Sequence, residues 1–291
     1  MKSLLLLSLV LRPPLGLDLY MPVPDANPLT PQKIALGRKL FFDKRLSRDG
    51  TLACAGCHDP KLAFSDGRKV ARGIGDAEGT RSAPAIINRG YGKTFFWDGR
   101  AKSLEQQALE PILNPKELGM TAAEVERRTG LKIAEVTGAL ASYVRTIRSG
   151  NSRFDRYAAG DQRALNDLER TGLTIFRGKA RCNTCHAGPN LTDENFHNTG
   201  VAFRDDKLLD EGAGEGKFKV PTLREVARTA PYMHDGSLAT LEDVVDYYDR
   251  GANANPGLDE DLRPLHLTAE EKRALVAFLK ALSGKIREGN L

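Results

Sequence analysis

Apolar residues recur at helical spacing along most of the chain, and polar capping residues stand where those stretches begin. Ile34, Leu36, Leu40 and Phe41 form one such face, and Thr30-Pro31 before them predicts a capped start with proline in the first turn. Ser103 to Leu113 (SLEQQALEPIL) opens with Ser-x-x-Gln, the pattern of a capping box. Thr121 precedes AAEVERR, and Leu131 to Ile147 reads as a long amphipathic helix. Ala164 to Phe176, Leu241 to Tyr248 and Leu267 to Leu282 are helical by the same test, the last with a Thr268-x-x-Glu271 box. Strand-like alternation is scarce, so the predicted class is mainly α.

Two segments carry no period. Gly67 to Arg89 and Gly188 to Leu223 are long and rich in Gly, Asp and Asn. Loops of that length are functional or packed on something large. A third interruption, GNSRFDRYAAGD from Gly150 to Asp161, predicts a domain boundary, drawn here as residues 25–155 and 156–291.

The two halves also resemble each other. ALGRKLFFDKRLSRDGTLACAGCHDP (Ala35 to Pro60) matches RTGLTIFRGKARCNTCHAGP (Arg170 to Pro189). Each has Gly-x-x-Leu/Ile-Phe at a helix end, a basic loop, then Cys-x-x-Cys-His. A repeat at this spacing means two copies of one domain type.

The four cysteines are Cys54, Cys57, Cys182 and Cys185, and a histidine follows each pair, His58 and His186. A disulfide scaffold needs more cysteine in a shorter chain. A two-pair zinc site needs a far shorter gap than that between Cys57 and Cys182, and gives no reason for the histidines. Cys-x-x-Cys-His is the attachment motif of a c-type haem, with the histidine as an iron ligand. The reading is two domains of cytochrome c type, each around one covalently bound haem.

Charged residues make up 28% of the 291, apolar ones 41%, and the net charge is +5. The positive residues are interleaved with acids, which excludes a nucleic-acid partner. Lys2 and the apolar run Leu4 to Leu11 have the form of an export signal, so residues 1–24 are read as a leader. No other segment is apolar enough to span a membrane, and an integral membrane protein is not expected. Attachment of haem to such motifs takes place outside the cytoplasmic membrane, so a periplasmic or otherwise exported location is expected.

The ordered set LGRKLFFDKRLS, CAGCHDP, FSDGR, GTRSAPAIIN, FFWDGRA, LEQQALEPILNPKELGM, CNTCHAGP, FKVPTLREV, TAPYMHDGSLATLEDVVDYY and AFLKALSG resembles the bacterial di-haem cytochrome c peroxidases, together with the related maturation enzyme of methylamine dehydrogenase. The resemblance runs from about Pro28 to Ser283. It implies a peroxidatic haem on Cys54, Cys57 and His58, and an electron-transfer haem on Cys182, Cys185 and His186. The implied substrate is hydrogen peroxide and the implied electron donor a small cytochrome c or copper protein; a homodimer is compatible with it.

By the same resemblance Glu117 is the active-site carboxylate, moving a proton between the two peroxide oxygens. Gln107 and Pro111 line its pocket, while Glu105 and Glu110 fall on the helix surface. Trp97 matches a tryptophan that lies between the two haems and relays electrons. Arg224 and His234 are matched to haem propionates. Asn88, with the carbonyls of Thr229 and Pro231, is matched to a calcium site of oxygen ligands.

The sixth-ligand positions depart from the commonest pattern. The loop Ala71 to Pro84 (ARGIGDAEGTRSAP), where many relatives carry a distal histidine, has none, and no Met, Cys, Lys or Tyr either. The first haem is therefore expected to keep an open face. At the second haem the family's ligand position falls on Tyr248, with Tyr247 and Met233 as the alternatives. A tyrosinate would favour ferric iron and lower the potential relative to methionine. Three activities follow: a peroxidase, an oxidase of a protein side chain of the maturation type, and a non-catalytic electron carrier, against which Glu117 and the missing ligand argue.

Overall fold

The computed structural model describes residues 13–205 and 207–290. Residues 1–12, and with them the apolar run of the expected leader, lie outside the described residues. In the rest of that stretch Pro14 and Leu17 are buried, Leu15 exchanges hydrogen bonds with Asn151, and the Gly16 carbonyl accepts from Arg224.

Among the described residues eight α-helices carry the fold: α1 Pro31–Phe41, α2 Leu104–Leu113, α3 Ala122–Thr129, α4 Ile133–Thr146, α5 Arg153–Ala158, α6 Asp167–Arg177, α7 Leu241–Asp249 and α8 Ala269–Lys280. Three two-stranded antiparallel sheets join β1 Arg148–Gly150 to β6 Lys285–Arg287, β2 Phe196–His197 to β5 Phe218–Lys219, and β3 Phe203–Arg204 to β4 Lys207–Leu208. Among the described residues no helix is long and apolar enough to cross a membrane.

The helix starts are set by caps, each contributing about 1 kcal/mol. Thr30 accepts from Lys33 and Pro31 opens α1 as predicted. Thr121–Glu124 and Thr268–Glu271 form reciprocal capping boxes. Three starts fall later than the apolar pattern predicts: Asn166 opens α6 in a box with Glu169, Thr268 opens α8, and α4 begins after Lys132, whose N–H donates to Glu135. At α2, Ser103 accepts from Gln106 N–H, but the Gln106 side chain takes the N–H of Lys102 instead of that of Ser103.

The internal repeat has one packing cause. Gly37 lies against α4, where an added Cβ would sit 1.9 Å from the Ala139 carbonyl oxygen. Gly172 lies against α8 in the same way, 2.0 Å from the Ala274 carbonyl oxygen. Each glycine thus lets two helix backbones touch. The aromatic residue four positions on then packs across the crossing, Phe41 on Tyr143 and Phe176 on Phe278, both with ring centroids 5.1 Å apart.

Each crossing centres its own core, one from Leu40 to Ile147 and one from Leu165 to Leu282. Helix α5 packs with the second core: Phe154 lies edge-on to Phe278 at 5.5 Å, and Asp155 pairs with Arg224. The tail then returns: β6 pairs with β1, and Glu288 pairs with Arg38 of α1.

Candidate functional site

A single continuous cavity of about 810 Å³ runs between the two domains, and both Cys-x-x-Cys-His motifs line it. Each motif is a short helical turn, Cys54–Gly56 and Cys182–Thr184, that brings its two cysteines to one side. His58 Nδ1 lies 3.2 Å from the Phe64 carbonyl oxygen, and His186 Nδ1 lies 3.1 Å from that of Leu191. A carbonyl only accepts, so Nδ1 holds the proton and Nε2 keeps its lone pair for iron. Burial pushes the His58 imidazole down to about 4 and lowers His186 too, so both are neutral, as a metal ligand must be.

Lys219, on β5, is only 8% exposed and lines the cavity as well. Burial, reinforced by the Arg89 guanidinium and opposed by Glu194, brings this ammonium down to about 7. A haem carboxylate in the cavity would stabilise the charged form of this buried amine. Paired thiols, oriented imidazoles and this amine fit two c-type haems.

Glu117 stands on the turn after α2 and lines the cavity with Gln107 and Pro111. Asn114 Nδ2 donates to its Oε1 at 2.7 Å. Burial raises the Glu117 carboxyl above the ordinary range, against the Asn114 hydrogen bond and Arg100, with Glu110 adding to the rise. Glu110 itself pairs with Arg100 at 2.7 Å. Glu105 is not a free surface acid: it is bonded to the buried Arg145 and to Asn27.

Trp97 lies at the domain seam. Its Nε1–H donates to the Ser82 carbonyl at 2.8 Å, and its own carbonyl accepts from Lys219 N–H at 2.8 Å.

The two tyrosine candidates separate clearly. Tyr247 is buried, with its hydroxyl donating to the Thr199 carbonyl at 2.7 Å, a packing role. Tyr248 lines the cavity, and burial raises its phenol, with Tyr247 and then Cys182 and Cys185 adding to the rise. Met233 lines the cavity as well.

Arg224 lines the cavity and is anchored on the second domain's side. It forms a two-point pair with Asp155, with both N···O distances 2.9 Å, and donates to the carbonyls of Pro189 and Gly16. Its donors are engaged in joining α5 and the N-terminal segment to the second domain. His234 lines the cavity, stacked on Phe218 at 3.6 Å. Thr229 and Pro231 line the cavity, and the Asn88 amide is buried in a reciprocal pair with the Ser149 backbone and a bond to Asn190.

His197 is held in the second domain between Asp259 (2.5 Å) and Asp193 (3.1 Å). Both of its ring nitrogens are engaged there. The sequence reading missed Arg81, Ser82, Asn114 and Lys219, although each lies inside a quoted motif. The partners of Arg81 and Ser82, Asp210 and His234, are remote in sequence, whereas Asn114 lies three residues before Glu117 and its spacing was readable.

With two haem-binding motifs facing one cavity and a raised carboxylate beside the first, the class is a di-haem oxidoreductase. The chain belongs to the di-haem cytochrome c peroxidase family, whose model matches residues 31–163. It is 40% identical to the methylamine utilization protein MauG of Methylorubrum extorquens, over 91% of this chain and 82% of that protein. It is 33% identical to the cytochrome c551 peroxidase of Nitrosomonas europaea, over 90% of this chain and 83% of that protein. The crystal structure of a MauG-like protein associated with microbial copper homeostasis superposes with a TM-score of 0.85 at 35% identity, covering 92% of this chain and 94% of the other.

Proposed function

We propose that the chain is a di-haem peroxidase that reduces hydrogen peroxide to water with electrons from a small redox protein, a cytochrome c or a copper protein. The observation that carries this reading is Glu117, a cavity carboxylate raised by burial and held by Asn114 in the first domain. A carboxyl with that environment can take the proton from one peroxide oxygen and deliver it to the departing one. Gln107 and Pro111 wall the same space, and the absence of any distal ligand in Ala71 to Pro84 leaves room for peroxide there.

The two bound haems would supply the iron at which the O–O bond is cleaved and the store of reducing equivalents. The chain's own part is to orient His58 and His186, move the proton through Glu117, and place Trp97 as the relay between the two sites. Two electrons and two protons convert one peroxide into two waters. A periplasmic or otherwise exported location belongs to the same reading.

One observation favours a second reading. Tyr248 stands in the cavity beside Cys182 and Cys185, and a phenolate on the second iron suits withdrawal of electrons from a protein side chain. Stopped-flow mixing with peroxide, watching both haem spectra, separates the two. Oxidation of an added cytochrome or copper protein, two equivalents per peroxide, supports the peroxidase. Peroxide-dependent oxidation of a protein substrate with no donor turnover supports the other.

A further inference from the structure

The loop Ala71 to Pro84, which offers the first haem no ligand, is tied to the second domain at its far end. Arg81 forms a two-point pair with Asp210, Nε to Oδ2 and Nη2 to Oδ1, both at 2.7 Å. Its remaining nitrogen, Nη1, donates to Asp98 at 2.7 Å. Asp210 lies in the second domain, and Asp98 is the residue after Trp97. The next loop residue, Ser82, donates its N–H to the His234 carbonyl at 2.7 Å and accepts the Trp97 indole N–H at 2.8 Å. The guanidinium also lies 5.3 Å from the centroid of Phe218, whose ring stacks on His234.

These contacts make one clamp. A planar guanidinium on two carboxylates fixes its own plane and the backbone that bears it. All three side chains are about one-fifth exposed or less, so water screens the clamp less than an open surface pair. The Arg81 guanidinium holds Asp210 below the usual carboxylate range, so the pair is ionised at neutral pH.

We propose that Arg81 is a positioning residue for electron transfer between the two haem sites: clamped to Asp210 and Asp98, it fixes Ser82, whose carbonyl sets the plane of the Trp97 indole. This rests on the reading of Trp97 as the relay. It makes relay geometry depend on the closed domain seam, through a carboxylate, Asp210, bound to the clamp and not to the indole.

Trp97 is the single tryptophan of the chain, so its excited-state lifetime in the haem-loaded protein reports its distance and orientation to the haems without reference to activity. The experiment compares Arg81→Gln, Arg81→Lys, Asp210→Asn and Trp97→Phe, each checked for haem content. The first readout is the lifetime. The second is the rate at which one electron, introduced rapidly, equilibrates between the haems. Arg81→Gln should change or split the lifetime and slow transfer by about tenfold to a hundredfold, as small misplacements of a reacting group do. Arg81→Lys should fall between it and the unmodified protein. If Arg81→Gln fails to load haem, Asp210→Asn decides, with a smaller effect of the same sign.

Unchanged lifetime and rate in both Arg81→Gln and Asp210→Asn would overturn the proposal. So would a changed lifetime with an unchanged rate, where Trp97→Phe does slow transfer. If Trp97→Phe leaves the rate unaltered, the relay reading itself fails and the electron-transfer role of Arg81 falls with it. The lifetime then still shows whether the clamp holds the indole.

Discussion

The backbone N–H of Ile74 donates to the carbonyl of Glu117 at 2.9 Å. The loop Ala71 to Pro84 is thereby docked on the turn that carries Glu117. Gly73 makes the docking close: a Cβ there would lie 1.7 Å from the Lys116 carbonyl oxygen and 2.7 Å from Glu117 Cα.

Gly73→Ala should therefore displace Glu117 without touching it chemically. Overpacking of this kind costs about 1–3 kcal/mol. The expected result is a lower melting temperature and slower reaction with peroxide at unchanged haem content. Stopped-flow and thermal scans check it, and a variant as fast as the parent would show the turn to be independent of the loop.

Glu117→Gln should slow peroxide cleavage by about a hundredfold or more, the usual effect of losing acid–base help. The pH dependence has a definite sign. Burial raises the native carboxyl above its unfolded value, so its contribution to stability is fully present below the unfolded value, near 4.3, and is lost as pH rises through the raised one. The melting temperature of Glu117→Gln minus that of the parent should thus grow with pH across that window. A difference that stays flat, or shrinks, would contradict the burial.

Gly172→Ala sets two effects against each other. Alanine gains about 1 kcal/mol of helix propensity over glycine. The new methyl would meet the Ala274 carbonyl oxygen at 2.0 Å and Phe278 Cβ at 2.7 Å, an overpacking cost of about 1–3 kcal/mol. The cost should win, and denaturant unfolding should show net destabilisation. Gly37→Ala should behave alike in the first domain.

Tyr248→Met should raise the reduction potential of one haem and leave the other, read by spectroelectrochemistry, because a thioether favours ferric iron less than a phenolate does. Tyr247→Phe serves as the contrast. It removes the bond to the Thr199 carbonyl, costs about 1 kcal/mol of stability, and should leave both haem spectra unaltered. Spectral change in Tyr247→Phe alone would reverse the assignment.

The oxidised protein should hold one high-spin and one low-spin haem, and should bind cyanide without prior reduction. The first half has no histidine after His58, and His197 is engaged by Asp193 and Asp259. Electron paramagnetic resonance of the resting protein checks this. Two low-spin signals, or a strict need for prior half-reduction, would show the pocket closed by other means.

What the sequence by itself determined is what short-range chemistry encodes. The caps at Thr30, Thr121 and Thr268, the helices behind them, and the two haem motifs each depend on residues within a few positions of one another. The repeated Gly-x-x-Leu/Ile-Phe was visible too, though not its meaning. Only the tertiary structure shows that Gly37 and Gly172 each seat a second helix about a hundred residues further on. It also decided which tyrosine faces the cavity, assigned α5 to the second core, and paired Arg224 with Asp155. The clamp of Arg81 on Asp210 joins residues 129 apart in the chain. Nothing local distinguishes these two from any other arginine and aspartate, because their pairing follows from how two separately packed cores meet.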